Sequence, residues 1–244
     1  MDKIEYTKMF KMEDKHFWFI GKRYFVDSIL LKYKSQIHNI LDLGSGTGGM
    51  TKHMQKYGSV AGIENYDYAI KLAKSKGLSI KKGDLNKFKV KDNSFDLVTI
   101  FDVLYHQNIN NEGEIVRRSY KALKKGGLLL ITDSALEILT SKHDVVTQGK
   151  RRYSLNQMRQ IIENQNFKII KASYIYFFIF PIVFLKRFVL DKIVGKDSSD
   201  VKPVSYFLNK LLLSIIKIES IFLEYTSFPI GSSVILLATK KWKV

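Results

Sequence analysis

The chain contains no cysteine among its 244 residues. Disulfides, thiolate metal sites and a cysteine nucleophile are therefore excluded. Its five histidines are dispersed, with no HExxH pattern and no paired-His spacing, so no metal-ligand constellation is expected. The run Met1-Asp2-Lys3-Ile4-Glu5 has no apolar signal core, which predicts a cytoplasmic protein. Tyr174 to Leu185 is free of charge but broken by Pro181, and it falls short of the about 20 apolar residues a membrane span needs. Acidic residues are few, 23 against 40 basic ones, giving a net charge of +17. That balance points to nucleic acid or an anionic membrane surface. Only seven of the 40 are arginine, however, and nucleic-acid surfaces favour arginine for bidentate and stacking contacts. The lysines are scattered among isoleucines and asparagines, so the charge reads as compositional bias and a nucleic-acid substrate is disfavoured.

What is present suits one large domain. Hydrophobic residues make up 45%, enough for a sizeable core. Residues 1–38 read as helical and aromatic-rich, ending in a basic amphipathic stretch from Tyr24 to Lys34. From Asn39 onward, short β-rich runs alternate with helical patterns, which predicts a parallel sheet wrapped by helices. The predicted strands are Ile40 to Leu43, Val60 to Ile63, Leu78 to Lys81, Phe95 to Phe101, Leu128 to Thr132, Phe167 to Ser173 and Ser233 to Thr239. The predicted helices are Gly49 to Tyr57, Tyr68 to Lys76, Gly113 to Leu123 and, after an N-cap at Ser154, Leu155 to Asn164. Gly58, Gly77 and Gly126-Gly127 read as helix stops.

A Phe-, Ile- and Leu-rich insertion precedes the last strand. Within it, Tyr206 to Tyr225 has helical period. Leu208, Leu212, Ile215, Ile218 and Phe222 share one face; Lys210, Ser214, Lys217 and Glu224 lie away from it. That stripe is open to three readings: core packing, a lid over an apolar acceptor, or a membrane-surface contact. The expected division is a helical cap at 1–38, a cofactor-binding core at 39–173, the hydrophobic insertion at 174–232 and a final strand at 233–244.

The chemistry starts at Asp42-Leu43-Gly44-Ser45-Gly46-Thr47-Gly48, between a strand and a helix. Glycines let backbone turn sharply and approach a ligand closely. The helix N-terminus adds unpaired N–H groups beside that ligand. Glu64 ends the next apolar run, where an acidic side chain can accept both hydroxyls of an adenosine ribose. The loop is GxGxG, unlike the GxGxxG of dinucleotide sites. Asp42 is placed either to hold the loop or to meet an ammonium group.

These residues closely resemble the first two motifs of class I S-adenosylmethionine-dependent methyltransferases, of the type 11/12-like group. Lys82-Gly83-Asp84-Leu85 resembles the third motif, Ser94-Phe95-Asp96 through Asp102-Val103-Leu104-Tyr105-His106 the fourth, and Leu123 through Ile131 the glycine turn and fifth strand. His16-Phe17-Trp18-Phe19 with Lys22-Arg23 is similar to an N-terminal box of many microbial members. Ser141 to Asp144, Gly149 to Ser154 and Phe228-Pro229-Ile230-Gly231 resemble the same group. The resemblance implies a Rossmann-like, doubly wound α/β fold with a seven-stranded sheet and a helical insertion before the last strand. It implies S-adenosyl-L-methionine as cofactor and S-adenosyl-L-homocysteine as product. The implied cofactor residues are Trp18, Arg23, Asp42, Gly44, Ser45, Gly46, Gly48, Glu64, Asn65, Asp84, Leu85, Phe101 and Asp102. In that scheme Trp18 shields the cofactor and Arg23 meets its carboxylate.

His106, at the carboxyl edge of the fourth strand, is the leading candidate base, with a structural hydrogen-bonding role as the alternative. His143 with Asp144 is the second candidate. Asp102, Tyr105 and Asp133 are placed to orient cofactor or acceptor. His38 and His53 are expected at the surface. No Asn-Pro-Pro-Tyr-like tetrapeptide follows the fourth strand, which argues against methylation of nucleic-acid amino groups. The expected reaction is methyl transfer to a small or lipid-like acceptor, at oxygen, with peripheral membrane contact as a further expectation. The rival readings are an RNA or protein methyltransferase using the basic surface, and a non-catalytic cofactor-binding scaffold.

Overall fold

The computed structural model of the chain describes residues 2–187 and 203–241; the side chains of Lys142 and His143 also lie outside that description. Two helices open it, α1 (Lys3–Met12) and α2 (Phe17–Leu30), followed by a short 3-10 turn, Leu31–Gln36. The sheet strands are β1 (Asn39–Leu43), β2 (Ser59–Glu64), β3 (Ile80–Lys82), β4 (Phe95–Phe101), β5 (Leu123–Ser134), β6 (Phe167–Ile175) and β7 (Ser233–Lys240). Between them run α3 (Gly49–Met54), α4 (Asp67–Lys74), α5 (Glu112–Ala122), α6 (Lys142–Val146), α7 (Leu155–Glu163), α8 (Phe180–Leu185) and α9 (Tyr206–Tyr225).

The seven strands lie in the order β3-β2-β1-β4-β5-β7-β6. β7 is antiparallel to both of its neighbours, and the remaining pairs are parallel. The expected seven-stranded, doubly wound sheet is thus present, with the helical insertion before its last strand. The order reverses beside β1, so the carboxyl ends of β1 and β4 open a crevice there. Central strands are apolar on both faces because helices cover both: Ile40, Leu41, Leu43, Leu97, Val98 and Ile100 are all buried.

One face carries α2 and α9 together. Phe25, Val26, Leu30, Tyr176, Leu212 and Ile216 form one buried cluster with Ile40, Leu97, Leu130 and Ile235 of the sheet. The N-terminal segment is therefore sheet-covering core as well as cap. Gly21 allows the α2–α9 approach, since a Cβ there would sit 2.9 Å from Ile216 Cγ2.

Three expectations need correction. The buried line of α9 is Leu212, Ile216, Glu219 and Leu223, whereas Leu208, Ile218 and Phe222 of the expected stripe are about half exposed. The helix is apolar on two sides, and the charge-free stripe is the outer one. Glu219 is tolerated inside because its carboxylate accepts the Phe177 and Phe178 N–H groups at 2.8 and 3.0 Å. Burial nonetheless pushes that carboxyl above its ordinary range. Gly126-Gly127 does not end α5. The helix stops at Ala122, β5 starts at Leu123, and Gly126 makes a left-handed kink (φ 72°) inside the strand. His53, finally, is half-buried, with Nε2 2.8 Å from Asp27 Oδ1.

Candidate active site

A cavity of about 650 Å³ opens over the crevice at the ends of β1 and β4. Its floor is the loop between β1 and α3. Gly44, Gly46 and Gly48 all have left-handed backbone, with φ of 79°, 53° and 88°. At Gly44 a Cβ would lie 2.4 Å from Val103 Cγ2, so a side chain there collides as well as strains. At Gly46 the nearest atom to such a Cβ is the flexible Met9 Cε at 3.3 Å, so the backbone there is open to a ligand.

Asp42 stabilises this loop from inside. It is 1% exposed, and its carboxylate accepts the hydroxyls of Thr51 and Thr99, the latter at 2.7 Å. Burial raises its pKa. Asp42 therefore holds the loop, and it also lines the cavity. Gly48 also needs correction. It does not line the cavity; it caps α3, where a Cβ would lie 2.3 Å from Leu78 Cδ1.

Glu64 stands at the end of β2, facing the loop. Its Oε2 accepts Gly46 N–H at 2.9 Å, and Oε1 accepts the N–H groups of Asn65 and Tyr66 at 2.8 and 3.0 Å. A carboxylate offers about four lone-pair sites, so this one keeps capacity for a further donor. Asp84 follows β3, with Oδ1 fixed by the backbone and side-chain N–H groups of Asn86, both at 2.9 Å. Ser45, Asn65, Leu85 and Phe101 line the cavity beside them.

The N-terminal helices form the roof. Trp18 lines the cavity and stacks on Tyr176, centroids 4.0 Å apart and planes 5° apart. Arg23 donates from Nη2 to Glu13 O and Asp14 Oδ1, at 2.9 and 2.7 Å. Its buried Nε has no hydrogen-bond partner, which leaves a donor beside the cavity. Two roof residues carry no motif and are visible only in the fold. Glu13 accepts the Thr47 hydroxyl and pairs with Lys76, tying α1 to the glycine loop. Tyr6 stacks on Tyr66 at 5.0 Å.

Lys22 is a third. It is 3% exposed, lines the cavity and pairs with Asp102, whose backbone is left-handed (φ 54°). Burial pulls Lys22 down to about 7. Asp133 is pushed up to about 7 by the same desolvation, although the N–H groups of Ser134, Leu104 and Tyr105 bond its carboxylate. Asp133 is fully buried and does not line the cavity; its hydrogen bonds fix the backbone after β4.

His106 lines the cavity and is bracketed. Its Nδ1 accepts the Asn108 N–H at 3.1 Å, and the Gln148 side chain bonds the ring. Burial lowers its pKa, so the ring is neutral near pH 7. With Nδ1 accepting, the proton sits on Nε2. As held, the ring is engaged by the Asn108 N–H and by the Gln148 side chain. The His143 side chain lies outside the described residues. Its neighbour Asp144 is buried, accepts Ser141 N–H and pairs with Arg152 at 2.8 Å, so it is committed to structure. Among the described residues no group of three or more His, Asp or Glu could hold a metal ion.

Residues 41–131 match the sequence model of a methyltransferase domain. Over this stretch the chain is similar to methyltransferase domains. The chain is 31% identical over 101 residues to phosphoethanolamine N-methyltransferase of Plasmodium falciparum, a match covering 38% of each chain. It is 34% identical over 110 residues to sterol 24-C-methyltransferase of Aspergillus fumigatus, covering 39% of this chain and 29% of that one. The chain thus spans well under half the length of these relatives. The fold resembles that of Haemonchus contortus phosphoethanolamine N-methyltransferase 2 in complex with S-adenosyl-L-methionine. There the TM-score is 0.57 at 20% identity, over 87% of this chain and 51% of that one.

Proposed function

We propose that this chain binds S-adenosylmethionine in the cavity and catalyses methyl transfer to a small or lipid-like acceptor. The observation that carries the reading is one juxtaposition. Open left-handed glycine backbone, the Glu64 carboxylate and Asp84 all face one roofed cavity that His106 also lines. Gly46 gives close backbone approach, Glu64 suits ribose hydroxyls, and Asp84 with Leu85 suits an adenine amino group and ring. Arg23 has a spare buried donor for a carboxylate. When bound, the cofactor supplies an electrophilic methyl on a sulfonium.

The protein's part is alignment and exclusion of water. Alignment alone can be worth about 7–11 kcal/mol when geometry is good. The roof of α1 and α2 keeps solvent out, and the Glu13–Thr47 and Lys22–Asp102 contacts hold it down. His106, donating from Nε2, orients the acceptor once Gln148 gives way. In the transfer the S–CH3 bond breaks as an acceptor oxygen forms the new O–CH3 bond. We place the methyl on an oxygen that arrives ionised or gives its proton to solvent, so no protein base is assigned. The relatives' named acceptors include a phosphoethanolamine and a sterol, both small or lipid-like, which supports this class.

The test is incubation of the full chain with methyl-labelled S-adenosylmethionine and three acceptor pools: a lipid extract, total RNA and a protein mixture. Label in the organic-extractable fraction is the expected result. Label in RNA or protein instead would transfer the reading to the basic surface. Cofactor binding with no label in any pool would favour the scaffold role.

A further inference from the structure

The outward face of α9 plays no part in the site. This helix carries eight of the 17 exposed large apolar side chains among the described residues. Isolated exposed apolar residues are ordinary, but a concentration on one face is not. Phe207, Leu211, Ile218 and Phe222 are 79%, 48%, 52% and 51% exposed. With 3.6 residues per turn, these four fall within an arc of about 60°. Exposed Lys210 and Lys217 both lie along one edge of that arc, with exposed Glu224 beyond them. The opposite side is occupied by the packing on α2, so the helix cannot turn the stripe inward.

Further exposed apolar side chains lie on α8 and the segments Arg187 contacts. Ile182 of α8 lines the cavity and is 61% exposed, and Leu185 is 59% exposed. Arg187, also on the lining, bonds Leu139 O and approaches Asp144; their chain neighbours Ile138 and Val145 are exposed. The Phe177 and Phe178 N–H bonds to Glu219 couple the segment before α8 to α9.

We infer that the outer face of α9 docks on an anionic lipid bilayer, lying in the interface and not crossing it. No helix of the described residues is long and apolar enough to span a membrane. An apolar stripe bordered by lysines on a chain of net charge +17 is complementary to an acidic headgroup layer, into whose acyl boundary Phe207 and Phe222 fit. An antiparallel pairing of two copies through this face would set the lysine edge of one helix against that of the other, which like charge disfavours. Docking needs no cofactor, so it stands or falls separately from methyl transfer.

The experiment is sedimentation of the full chain with vesicles of phosphatidylcholine alone or mixed with phosphatidylglycerol. Binding to the mixed vesicles is expected, at least tenfold tighter than to the neutral ones and weakened by salt. The combined change Leu211→Ser, Ile218→Ser and Phe222→Ser should lower partitioning at least tenfold, because it removes buried apolar area. Its melting curve and S-adenosylhomocysteine affinity should match the parent, showing that the fold is intact. Lys210→Gln with Lys217→Gln should lower binding several-fold and flatten the salt dependence. The inference is overturned by no sedimentation with anionic vesicles at low salt, or by a triple variant that binds like the parent. A dimer in light scattering that the triple variant dissociates would overturn it as well, by assigning the face to a second copy.

Discussion

The two walls of the cavity are built by different means. The floor, from Asp42 to Glu64, is backbone: left-handed Gly44 and Gly46, with Gly48 capping α3 behind them, a carboxylate held by main-chain N–H groups, and an aspartate bonded by two threonines. The roof and mouth are side chains brought from distant segments. Trp18 meets Tyr176 and Lys22 meets Asp102, while Ile182 and Arg187 come from the insertion. A backbone floor tolerates almost no substitution. A side-chain wall can be retuned one residue at a time, which suits a fixed cofactor opposite a variable acceptor.

That contrast can be broken most sharply at Gly44. Gly44→Val combines a positive φ with a clash on Val103, so cofactor affinity should fall at least a hundredfold. Stability should fall by about 2–3 kcal/mol. Calorimetry with S-adenosylhomocysteine and a denaturant melt would measure both. An unaffected variant would mean the loop does not need its glycine geometry.

Glu64→Ala should weaken the cofactor by about 1–3 kcal/mol, the cost of unpairing such a group. Unchanged affinity in the same calorimeter would show that the ribose lies elsewhere.

Lys22 gives a pH signature. Its folded pKa, about 7, is below its ordinary value, so the unfolded chain binds more protons between there and 10.5. Stability attributable to Lys22 therefore rises with pH across that window. Unfolding free energies of the parent minus Lys22→Met, taken from pH 7 to 10, should climb; a flat difference would contradict burial of the amine.

The smallest effect is expected at His106. His106→Gln keeps a donor, so turnover should drop less than about tenfold, whereas loss of a true base costs about 10²–10⁴. A drop in that larger range would restore the base.

The same division explains what could be read from the chain. The floor was legible because it is local: Gly44, Gly46, Glu64 and Asp84 sit in short strand-loop units whose spacing fixes their geometry. Of the expected site residues, Gly48, Asp133 and Asp144 are not on the cavity lining, and the His143 side chain lies outside the described residues. Glu13, Tyr6 and the Lys22–Asp102 contact were not legible, because their partners lie tens of residues away and no periodicity marks them. The α9 face is not legible from periodicity for a related reason. Helical period reports which residues share a stripe, but a helix apolar on two sides leaves the choice to tertiary packing, here to Gly21 of α2 and the amides that accommodate Glu219.

The central claim is that this cavity holds S-adenosylmethionine. Titration calorimetry of the full chain with S-adenosylhomocysteine tests it most directly. The account predicts one site per chain with a Kd on the order of micromolar, weakened about tenfold or more by Glu64→Ala. No heat of binding at about millimolar ligand would contradict it.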